Sequence, residues 1–380
     1  MEVLVAGAGP GGLAAALGLI GRGHQVEVVD RLADPGQGGG AVTIYSNGAA
    51  ALDRLGVCLG GLGAAISDLA LTRANGQRLL RFDFGPMTRR FGQPIRTIPR
   101  ADLLERLRGD LPAGVVRDST AIDSVQVTGA RVEVVLATGE RLAPQIVVGA
   151  DGHRSVVRRD VLDPNPAAPS GWATWQGLSP VLPEVAGGTT GRLVVGEAGL
   201  VGLMPAGGGL LQWWFDVRWS PQDPPIDRPA DWLRDRFSGY APPVNALLGA
   251  ISDEAIGFFP HVVHEVRDQW GAGPVTLLGD AAHVFPPSQA QGANQAFEDA
   301  WLLVRALDLG VDPVERLRRY ERSRARRLRL VSRMAASERT NRPTGRLLGL
   351  ASQMTPAAVA GRAYAQLIRR FSSVLNDDEP

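Results

Sequence analysis

Lysine is absent from this chain of 380 residues, and arginine accounts for all 40 residues counted as lysine or arginine. Such a composition is typical of genes rich in guanine and cytosine. The absence also excludes chemistry, because a Schiff base, a P-loop around nucleotide phosphates and a lysine general base all require a lysine amine. Enzymes that depend on such a lysine are therefore excluded.

Cysteine is nearly absent, since Cys58 is the only one. No internal disulfide can form, and a metal cluster held by several thiolates cannot be built. The other metal-ligating residue types form no recognisable set either, so we expect no metal site. This cysteine usage is typical of a reducing compartment, and we expect a cytoplasmic protein.

Long apolar runs are also missing. The segment Val3–Ile20 is apolar, but no basic region precedes it and glycines divide it, so we do not expect a signal peptide. No other stretch is long and apolar enough to predict a membrane span. The net charge of +1 makes long-range attraction to nucleic acid or a membrane unexpected. We therefore expect a monomer or homodimer that binds small molecules, with no nucleic-acid or membrane partner.

The chain begins with a pattern typical of a β-α-β unit. Glu2–Ala6 is predicted to be a buried strand, Gly11–Arg22 a helix and Gln25–Asp30 a second strand. In nucleotide-binding units of this kind, glycines permit a tight turn, close approach of a pyrophosphate and close helix packing. An acidic residue that ends the second strand accepts hydrogen bonds from the ribose. The candidate dinucleotide-binding residues of this first motif are Gly7, Gly9, Pro10, Gly12, Asp30 and Arg31.

Two later motifs also belong to predicted buried strands. Asp151-Gly152 follows the strand Gln145–Gly149, and Gly279-Asp280 ends the strand Val275–Gly279. Asp151 has two interpretations that the residues alone leave open, a contact to a cofactor and a cap of the helix that follows. The third motif leads into a proline-containing loop and a helix predicted over Ala293–Leu307.

The middle of the chain has a different composition. Residues 166–264 carry proline-rich breaks and most of the tryptophans, and Arg192–Val195 and Leu210–Arg218 are predicted strands. We interpret this region, together with residues 71–94, as a sheet domain inserted into the nucleotide-binding domain. Pro313–Ala335 is predicted to be a helix whose arginines solvate one face rather than bind RNA.

Taken in order, the three motifs resemble those of the FAD-dependent aromatic hydroxylases of the para-hydroxybenzoate hydroxylase fold, which are single-component, class A flavoprotein monooxygenases. Two more features add to the resemblance. Arg100, at the start of a predicted helix, resembles an arginine that contacts FAD, and Ile44–Gly48 resembles the segment beside the flavin. A short helix over Asn47–Leu55, capped by Ser46 or Asn47, is predicted to continue that segment.

The resemblance implies an α/β fold with a Rossmann-like FAD-binding domain, an inserted and mostly antiparallel β-sheet substrate domain, and a C-terminal helical segment. The implied cofactors are FAD, and NADPH or NADH as a transient electron donor. The expected boundaries are 1–70, 95–165 and 265–312 for the FAD-binding domain, 71–94 and 166–264 for the substrate domain, and 313–380 for the C-terminal helices.

The resemblance also implies the site residues. Pro287 and Tyr45 are expected beside the reacting centre. His261 is a candidate for assisting deprotonation of a phenol, although a structural role is the more common one for such a histidine. Beyond the first motif, the residues expected at the cofactor are Arg100, Asp151, Gly279, Asp280, Pro287, Gly292, Ala293 and Asn294. The expected walls of the substrate pocket are Trp175, Met204, Trp213, Phe215 and Phe259.

Three positions in or near the third motif have further interpretations. Many members of the family have Gly-Gln-Gly where this chain has Ala290-Gln291-Gly292, so the geometry of the loop beside the flavin is left open. His283 is expected to be structural rather than a proton carrier. His264 has the same two interpretations as His261.

In that family, NAD(P)H reduces the flavin, and the reduced flavin takes up oxygen to form a C4a-hydroperoxide whose distal oxygen passes to an electron-rich carbon. The resemblance thus predicts that the protein uses O2 to hydroxylate a phenolic, indolic or fused-ring aromatic small molecule. A flavin-dependent epoxidase, a Baeyer–Villiger oxygenase, a reductase or dehydrogenase of the same fold, and a binding protein without turnover remain open. A flavin halogenase is not expected, because it requires a lysine and the spacing of Trp172 and Trp175 differs from its motif.

Overall fold

A computed structural model of the chain describes residues 1–34, 40–308, 310, 312–341 and 353–377. The parts of the predicted C-terminal helical segment at 342–352 and 378–380 lie outside the described residues. The strands, in chain order, are β1 (Glu2–Ala6), β2 (Gln25–Val29), β3 (Ala41–Ile44), β4 (Ala64–Ile66), β5 (Asp68–Arg73), β6 (Arg78–Asp83), β7 (Ile95–Pro99), β8 (Val116–Arg117), β9 (Ile122–Thr128), β10 (Arg131–Leu136), β11 (Arg141–Leu142), β12 (Ile146–Gly149), β13 (Ala168–Ser179), β14 (Thr190–Gly196), β15 (Gly199–Gly207), β16 (Leu210–Arg218), β17 (Gly257–Val263) and β18 (Val275–Leu277).

The helices connect and cover these strands. The α-helices are α1 (Pro10–Gly21), α2 (Ser46–Arg54), α3 (Gly85–Phe91), α4 (Arg100–Gly109), α5 (Val156–Val161), α6 (Pro183–Ala186), α7 (Pro229–Arg236), α8 (Val244–Ala250), α9 (Asp280–His283), α10 (Gly292–Leu307), α11 (Pro313–Ala336) and α12 (Ala357–Phe371). The short 3-10 helices are Asp253–Ala255, Pro287–Gln289, Arg339–Asn341 and Val374–Asn376.

The nucleotide-binding domain is built on a parallel sheet in the order β18-β12-β1-β2-β8. β1 and β12 lie inside this sheet with both faces covered, which explains why they are apolar without alternation. At one edge Ala6, Gly149 and Leu277 lie side by side in register, so the loops after β1, β12 and β18 leave the sheet together. The three motifs therefore meet, although long stretches of chain separate them.

The predicted β-α-β unit is confirmed. α1 begins one residue earlier than predicted, because Pro10 takes the first helical position, where its missing N–H costs nothing. The predicted cap of α2 is wrong. Ser46 and Asn47 lie inside that helix and hydrogen-bond to residues distant in the chain, so these tertiary bonds outweigh a local cap. Tyr45 takes the cap position, and no described side chain makes the capping bond.

The second domain contains a seven-stranded sheet in the order β17-β13-β16-β15-β14-β5-β6. Within the described residues, every neighbouring pair is antiparallel except β14 with β5, so the predicted, mostly antiparallel sheet is confirmed. β5 begins at Asp68 and joins this sheet with β6. The domain boundaries given above remain predictions.

Side chains alternate between the two faces of the seven-stranded sheet. We call the side of Gln212 and Trp214 the near face and the side of Trp213 and Phe215 the far face. The far face packs with α7 and α8 in a core of its own. Trp214 packs instead against the main core, and Gln212 bonds to Ala41 at the start of β3. The near face therefore turns toward the nucleotide-binding domain.

Helices α10, α11 and α12 link the two domains. α10 packs against α1, α2 and α11, and α12 packs against β6 and α3. At the contact with β6, a methyl group on Gly361 would stand 1.8 Å from the Asp83 carbonyl oxygen, so only glycine allows this close approach. Two smaller antiparallel sheets, β3-β7-β4 and β11-β10-β9, complete the fold. No helix in the described ranges is apolar over a length that would cross a membrane.

Candidate active site

A cavity of about 390 Å³ opens at the carboxyl edge of the parallel sheet. Residues predicted at the cofactor line this cavity from all three motifs and from the start of α4. Those that line it are Gly7, Gly9, Pro10, Asp30, Arg31, Arg100, Asp151, Gly279, Asp280, Gly292 and Ala293. The structure therefore brings together side chains and turns that are far apart in the sequence.

Three glycines of the first motif differ in what surrounds them. Gly7 has a φ of +109°, and a methyl group there would lie 2.4 Å from the Ala150 carbonyl oxygen. Gly12 lets α1 pack on the turn, since its methyl group would lie 2.0 Å from the Gly7 oxygen. At Gly9 a methyl group would meet no described atom within 4 Å, and this residue lines the cavity. Gly9 therefore leaves room for a ligand.

Two helices begin at this cavity, α1 at Pro10 and α10 at Gly292. No described side chain caps either N-terminus, so the N–H groups of the first turns are available to a ligand. The positive end of a helix dipole stabilises an anion, and these N–H groups bind phosphate oxygens. The arrangement fits a ligand that carries negative charge at two separate positions.

Backbone N–H groups hold two acidic residues at the cavity wall. Asp30 accepts from the Ala8 N–H at 2.7 Å and from the Leu32 N–H at 2.8 Å. Asp151 accepts from the Val156 N–H at 2.8 Å, so it supports the start of α5 and also lines the cavity. Burial raises the pKa of Asp151. Both interpretations of Asp151, the helix start and the cofactor wall, are thus compatible with its position.

Asp280 and Arg100 add a carboxylate and a guanidinium to the lining. Asp280 is exposed where it faces the cavity. The surrounding protein still removes enough water to raise the pKa of its carboxyl group, although His283 acts to lower that pKa. Burial lowers the pKa of Arg100, while the nearby Asp30 raises it. A bound ligand therefore meets both signs of charge.

Asn294 fixes the loop between α9 and α10 to β3 and to the start of α2. Its amide nitrogen donates to the Thr43 carbonyl at 2.9 Å and to the Ala290 carbonyl at 2.8 Å, and its oxygen accepts from the Tyr45 N–H at 2.9 Å. Asn294 positions this loop from outside the cavity lining. Pro287 starts the 3-10 helix of the loop and is exposed. Cofactor contacts by Asn294 and Pro287 stay predictions.

Tyr45 lies buried beside that loop, and its hydroxyl group contacts a second tyrosine. Tyr364 of α12 donates to the Tyr45 hydroxyl at 3.1 Å, and the Tyr364 ring packs against the rings of Tyr45, Phe82 and Phe84. Burial raises the pKa of both phenols, so both are neutral at physiological pH. α12 thus places Tyr364 next to a predicted catalytic residue, and no local sequence signal indicates this contact.

His261 lies in the seven-stranded sheet with both ring nitrogens occupied. Nε2 contacts the Thr174 hydroxyl at 2.6 Å, and Nδ1 contacts the Glu338 carboxylate at 2.8 Å. Only 2% of the residue is exposed, so the geometry does not support direct deprotonation of a phenol by His261. Burial lowers the pKa of His264 to about 4, which keeps that ring neutral.

The predicted substrate residues fall on different sides of the sheet. Trp175, Trp213 and Phe215 belong to the far core beneath α7 and α8, so their assignment to the substrate wall is corrected. Phe259 is 40% exposed on the edge strand β17. Met204 packs into the main core on the near side.

The near face offers other candidates that sequence reasoning missed. The cross-strand pair of β13 and β16 places Gln176 beside Trp214 on this face. The Gln212 oxygen accepts from the Ala41 N–H at 2.5 Å, which ties the near face to the nucleotide-binding domain. The alternation of side chains along Leu210–Arg218 is a signal that could have indicated this. Once one residue of a strand is assigned to a face of the sheet, every second residue lies on the same face.

Comparison with known proteins agrees with this geometry. A family model described as FAD binding domain matches residues 1–335. The 3-amino-4-hydroxybenzoate 2-monooxygenase PtmB3 of Streptomyces platensis is 33% identical over 350 residues, which cover 87% of this chain and 86% of that protein. The chain belongs to the FAD-dependent aromatic hydroxylases of the para-hydroxybenzoate hydroxylase fold.

Two further members show the range of this hydroxylase family. The structure of Klebsiella pneumoniae HpxO with FAD and uric acid matches with a TM-score of 0.83 at 26% identity, covering 99% of this chain and 95% of that chain. The zeaxanthin epoxidase of Solanum lycopersicum is 31% identical over 372 residues, which cover 88% of this chain and 54% of that protein. The chain thus spans about half the length of the zeaxanthin epoxidase.

FAD is the cofactor of this hydroxylase-family protein, and the residues of the cavity fit it. The open position at Gly9 and the uncapped start of α1 suit a pyrophosphate. Asp30 directly follows β2, where the acid that binds the ribose is expected. The start of α10 at Gly292 lies on the same cavity. The roles of the individual residues remain predictions.

Ala290 is the position at which this family member departs from the Gly-Gln-Gly of many relatives. Its φ is +48°, a left-handed conformation that costs a residue with a side chain roughly 1–2 kcal/mol. We expect Ala290→Gly to stabilise the protein by about 0.5–1 kcal/mol, measured by urea unfolding. Ala50→Gly inside α2 is the control and should destabilise by about 1 kcal/mol. Destabilisation by both variants would contradict the left-handed backbone conformation assigned to Ala290.

His283 and Asp299 hold the turn that starts the third motif. His283 Nε2 lies 2.6 Å from an Asp299 oxygen, and that oxygen also accepts from the Gly279 N–H at 2.9 Å. Burial favours the neutral acid, but His283 and Arg324 outweigh it and lower the pKa of Asp299 to about 2. These contacts agree with the structural role expected for His283.

The low pKa of Asp299 predicts a specific response to acid. Because it lies below the unfolded value of 3.8, ionised Asp299 stabilises the fold above pH 4, and this contribution is lost as the pH falls toward 2. Asp299→Asn should cost roughly 2 kcal/mol at neutral pH. Urea unfolding at several pH values should show the two proteins converging as the pH falls from 4. A difference that stays constant over this range would contradict the assignment.

Proposed function

We propose that the protein is an FAD-dependent monooxygenase that uses NADPH or NADH and O2 to hydroxylate a small aromatic molecule. The observation that carries the proposal is the single cavity around which the three family motifs meet. The Streptomyces relative is by name a monooxygenase of 3-amino-4-hydroxybenzoate, and the Klebsiella structure contains uric acid. Both support a small aromatic or heteroaromatic substrate.

The residues at the cavity have separate tasks in this proposal. The turn at Gly9 and the N-terminus of α1 bind the pyrophosphate, and Asp30 accepts hydrogen bonds from the ribose. The N-terminus of α10 lies on the same cavity, where its helix dipole would stabilise the negative charge that a bound flavin gains on reduction. When bound, FAD supplies electron transfer from NAD(P)H and activation of oxygen.

The rest of the site holds the substrate in place and keeps water away from it. The near face of the seven-stranded sheet forms one wall, and the loop at Pro287 forms another. The phenol of Tyr45, kept neutral because burial raises its pKa, offers a hydrogen bond without a charge. Its partner Tyr364 orients that hydroxyl group.

Epoxidation of an alkene is a second candidate. The similarity to the zeaxanthin epoxidase favours it, at 31% identity over 88% of this chain. The same cofactor chemistry would place oxygen on a double bond instead of a ring carbon. Mass spectrometry of the product after incubation in ¹⁸O2 separates a phenol from an epoxide. The Baeyer–Villiger, reductase and dehydrogenase alternatives have no comparable observation in their favour.

We further infer a cytoplasmic protein that is a monomer or a homodimer. The exposed, unpaired Cys58 supports a reducing location. Light scattering coupled to size-exclusion chromatography of the FAD-loaded protein measures the mass in solution. A larger assembly would contradict the inference on oligomeric state.

The function is tested by aerobic oxidation of NADH and NADPH by the FAD-loaded protein against phenols, indoles and fused aromatics, with peroxide quantified. We expect one class to accelerate oxidation while peroxide stays below the nucleotide consumed, because the missing oxygen enters the product. The nicotinamide that gives the faster reaction identifies the electron donor. If all the electrons from the oxidised nucleotide are recovered as peroxide with every compound, oxygenation of an aromatic ring by this protein is rejected.

A further inference from the structure

The near face contains a row of buried polar contacts that the proposed reaction does not use. The Thr174 hydroxyl donates to the Asp216 carboxylate at 2.5 Å and lies 2.6 Å from His261 Nε2. His261 Nδ1 lies 2.8 Å from the Glu338 carboxylate. We call these four residues the buried chain, and Thr174, the most exposed of them, is only 4% exposed.

The buried chain connects the near face to the loop expected beside the flavin. Glu338 follows α11, and its N–H donates to the Ala335 carbonyl at 3.1 Å. That carbonyl also accepts from the Ser288 hydroxyl of the loop at 2.9 Å. At the other end, Asp216 accepts a hydrogen bond from the Trp214 side chain. Charge in the buried chain therefore acts directly behind the proposed substrate wall.

The three hydrogen bonds of the buried chain require three protons. Thr174 supplies one and a neutral imidazole of His261 supplies one, whereas two ionised carboxylates supply none. One more proton must lie on the imidazole or on a carboxyl group, because facing lone pairs at these distances repel each other. Burial raises the pKa of Asp216 to about 6, so this carboxyl group binds a proton more readily than an ordinary aspartate does.

With that proton included, the buried chain still carries a single net negative charge. Two carboxylates contribute two negative charges, and the extra proton cancels one of them. Among the described residues, the other partners of the Glu338 carboxylate are the neutral donors Ser170 and Asn341, which cancel no charge. Water screens a buried charge weakly, so its field extends to the near face.

The arginines of the central strands β13 to β16 do not offset this charge on the near face. Arg192 stands opposite Leu203, whose side chain lies in the far core. Arg218 shares the near face but is exposed at the end of β16, where water screens its charge and its guanidinium stacks on Trp172 at 5.3 Å. Arg96 of the neighbouring β7 donates to a backbone carbonyl at 2.7 Å. A substrate carboxylate removed from water needs a paired cation, and the described residues of the central strands present no buried cation on the near face.

We propose that the near face selects uncharged aromatic substrates that lie against Trp214 and rejects aromatic carboxylates, because the buried chain holds negative charge behind it. This inference rests on the proposed function, since it takes the near face as a wall of the substrate site. The half-buried Gln176 stands beside Trp214, and its amide nitrogen has no partner among the described residues. That amide is placed to donate a hydrogen bond to a neutral polar group on the ring.

Ligand binding to the oxidised, FAD-loaded protein tests the proposal without any turnover. Two matched pairs keep the ring and change the charge: salicylamide with salicylate, and indole-3-carboxamide with indole-3-carboxylate. Titrations followed by the flavin absorbance should show the amide of each pair binding at least about 10-fold more tightly than the acid near neutral pH. Equal affinities, tighter binding of the acids, or no response to any of the four compounds would overturn the proposal.

Isosteric variants separate charge from shape. In Asp216→Asn the new amide can donate to the Thr174 hydroxyl, and in Glu338→Gln the new amide can donate to His261 Nδ1, so neither single variant needs the extra proton. Each single variant then keeps the charge of its remaining carboxylate, and the preference for amides should persist. The double variant carries no charge, so its preference for amides should fall to within about threefold. A preference that persists in the double variant would contradict the assigned charge.

Failure of this inference and failure of the proposed function give different results. If the double variant of Asp216→Asn and Glu338→Gln does not fold, the two ligand pairs on the unmodified protein still decide the inference. If the protein binds the amides selectively but oxygenates none of the compounds, the inference is supported and the proposed function is contradicted. If the protein oxygenates phenols but binds salicylate as tightly as salicylamide, the proposed function is supported and the inference is overturned.

Discussion

Alanine in place of Gly9 is expected to weaken FAD binding by about 10- to 100-fold, or roughly 1.4–2.8 kcal/mol, without unfolding the protein. Gly9 has a φ of −71°, which alanine adopts freely, and the added methyl group would meet no described atom within 4 Å. That methyl group would instead occupy the space assigned to the pyrophosphate. The clash is therefore with the cofactor alone.

Gly12→Ala is the matched control, because it adds the same methyl group in the same motif with a different neighbour. That group would lie 2.0 Å from the Gly7 oxygen and 3.2 Å from the Ala150 Cβ. Both neighbours belong to the packed turn, so we expect a loss of stability of roughly 1–3 kcal/mol or more. FAD binding should weaken as a consequence of this unfolding.

Two measurements distinguish these outcomes. Equilibrium dialysis gives the FAD affinity, and urea unfolding of the cofactor-free proteins gives their stability. Gly9→Ala should match the unmodified protein in the second measurement and differ in the first. Unchanged FAD affinity in Gly9→Ala would show that the pyrophosphate lies elsewhere.

The nucleotide-binding half of the fold is predictable because each of its signals is local. β1, β2 and β12 are short apolar runs bounded by glycine or aspartate, a pattern that fits few structures other than a buried strand. Parallel pairing then brings the carboxyl ends of these strands together. This is why Gly7, Asp151 and Asp280 were expected at one place and lie around one cavity.

The substrate half is less predictable, because a strand alone does not reveal which face its residues occupy. Trp213 and Trp214 are neighbours of identical type, yet one packs in the far core and the other on the near face. A shift of one residue in register would exchange them, so only tertiary contacts decide. Tyr45 and Tyr364 likewise meet across 319 positions of sequence, and no local pattern links them.

Loss of Arg324 is expected to destabilise the protein by about 3–5 kcal/mol. Its guanidinium is completely buried between α10 and α11, 2.6 Å from Asp299 and 3.1 Å from Glu298. Its remaining donors reach Gln295 at 2.8 Å and Ser373 at 3.1 Å. Arg324→Met fills a similar volume without the charge, so two carboxylates lose their cation in a place where water cannot replace it.

Arg322→Met is the control on the same helix, because Arg322 forms its ion pair with Glu315 at 2.7 Å while both side chains are about half exposed, at 54% and 50%. Such surface pairs contribute only about 0–1 kcal/mol, so urea unfolding of the FAD-loaded protein should hardly change. Since α10 begins at the cavity, Arg324→Met should also weaken FAD retention, whereas Arg322→Met should not. Similar losses in both variants would mean that solvent reaches Arg324 and that this cluster does not fix α10 beside the cofactor.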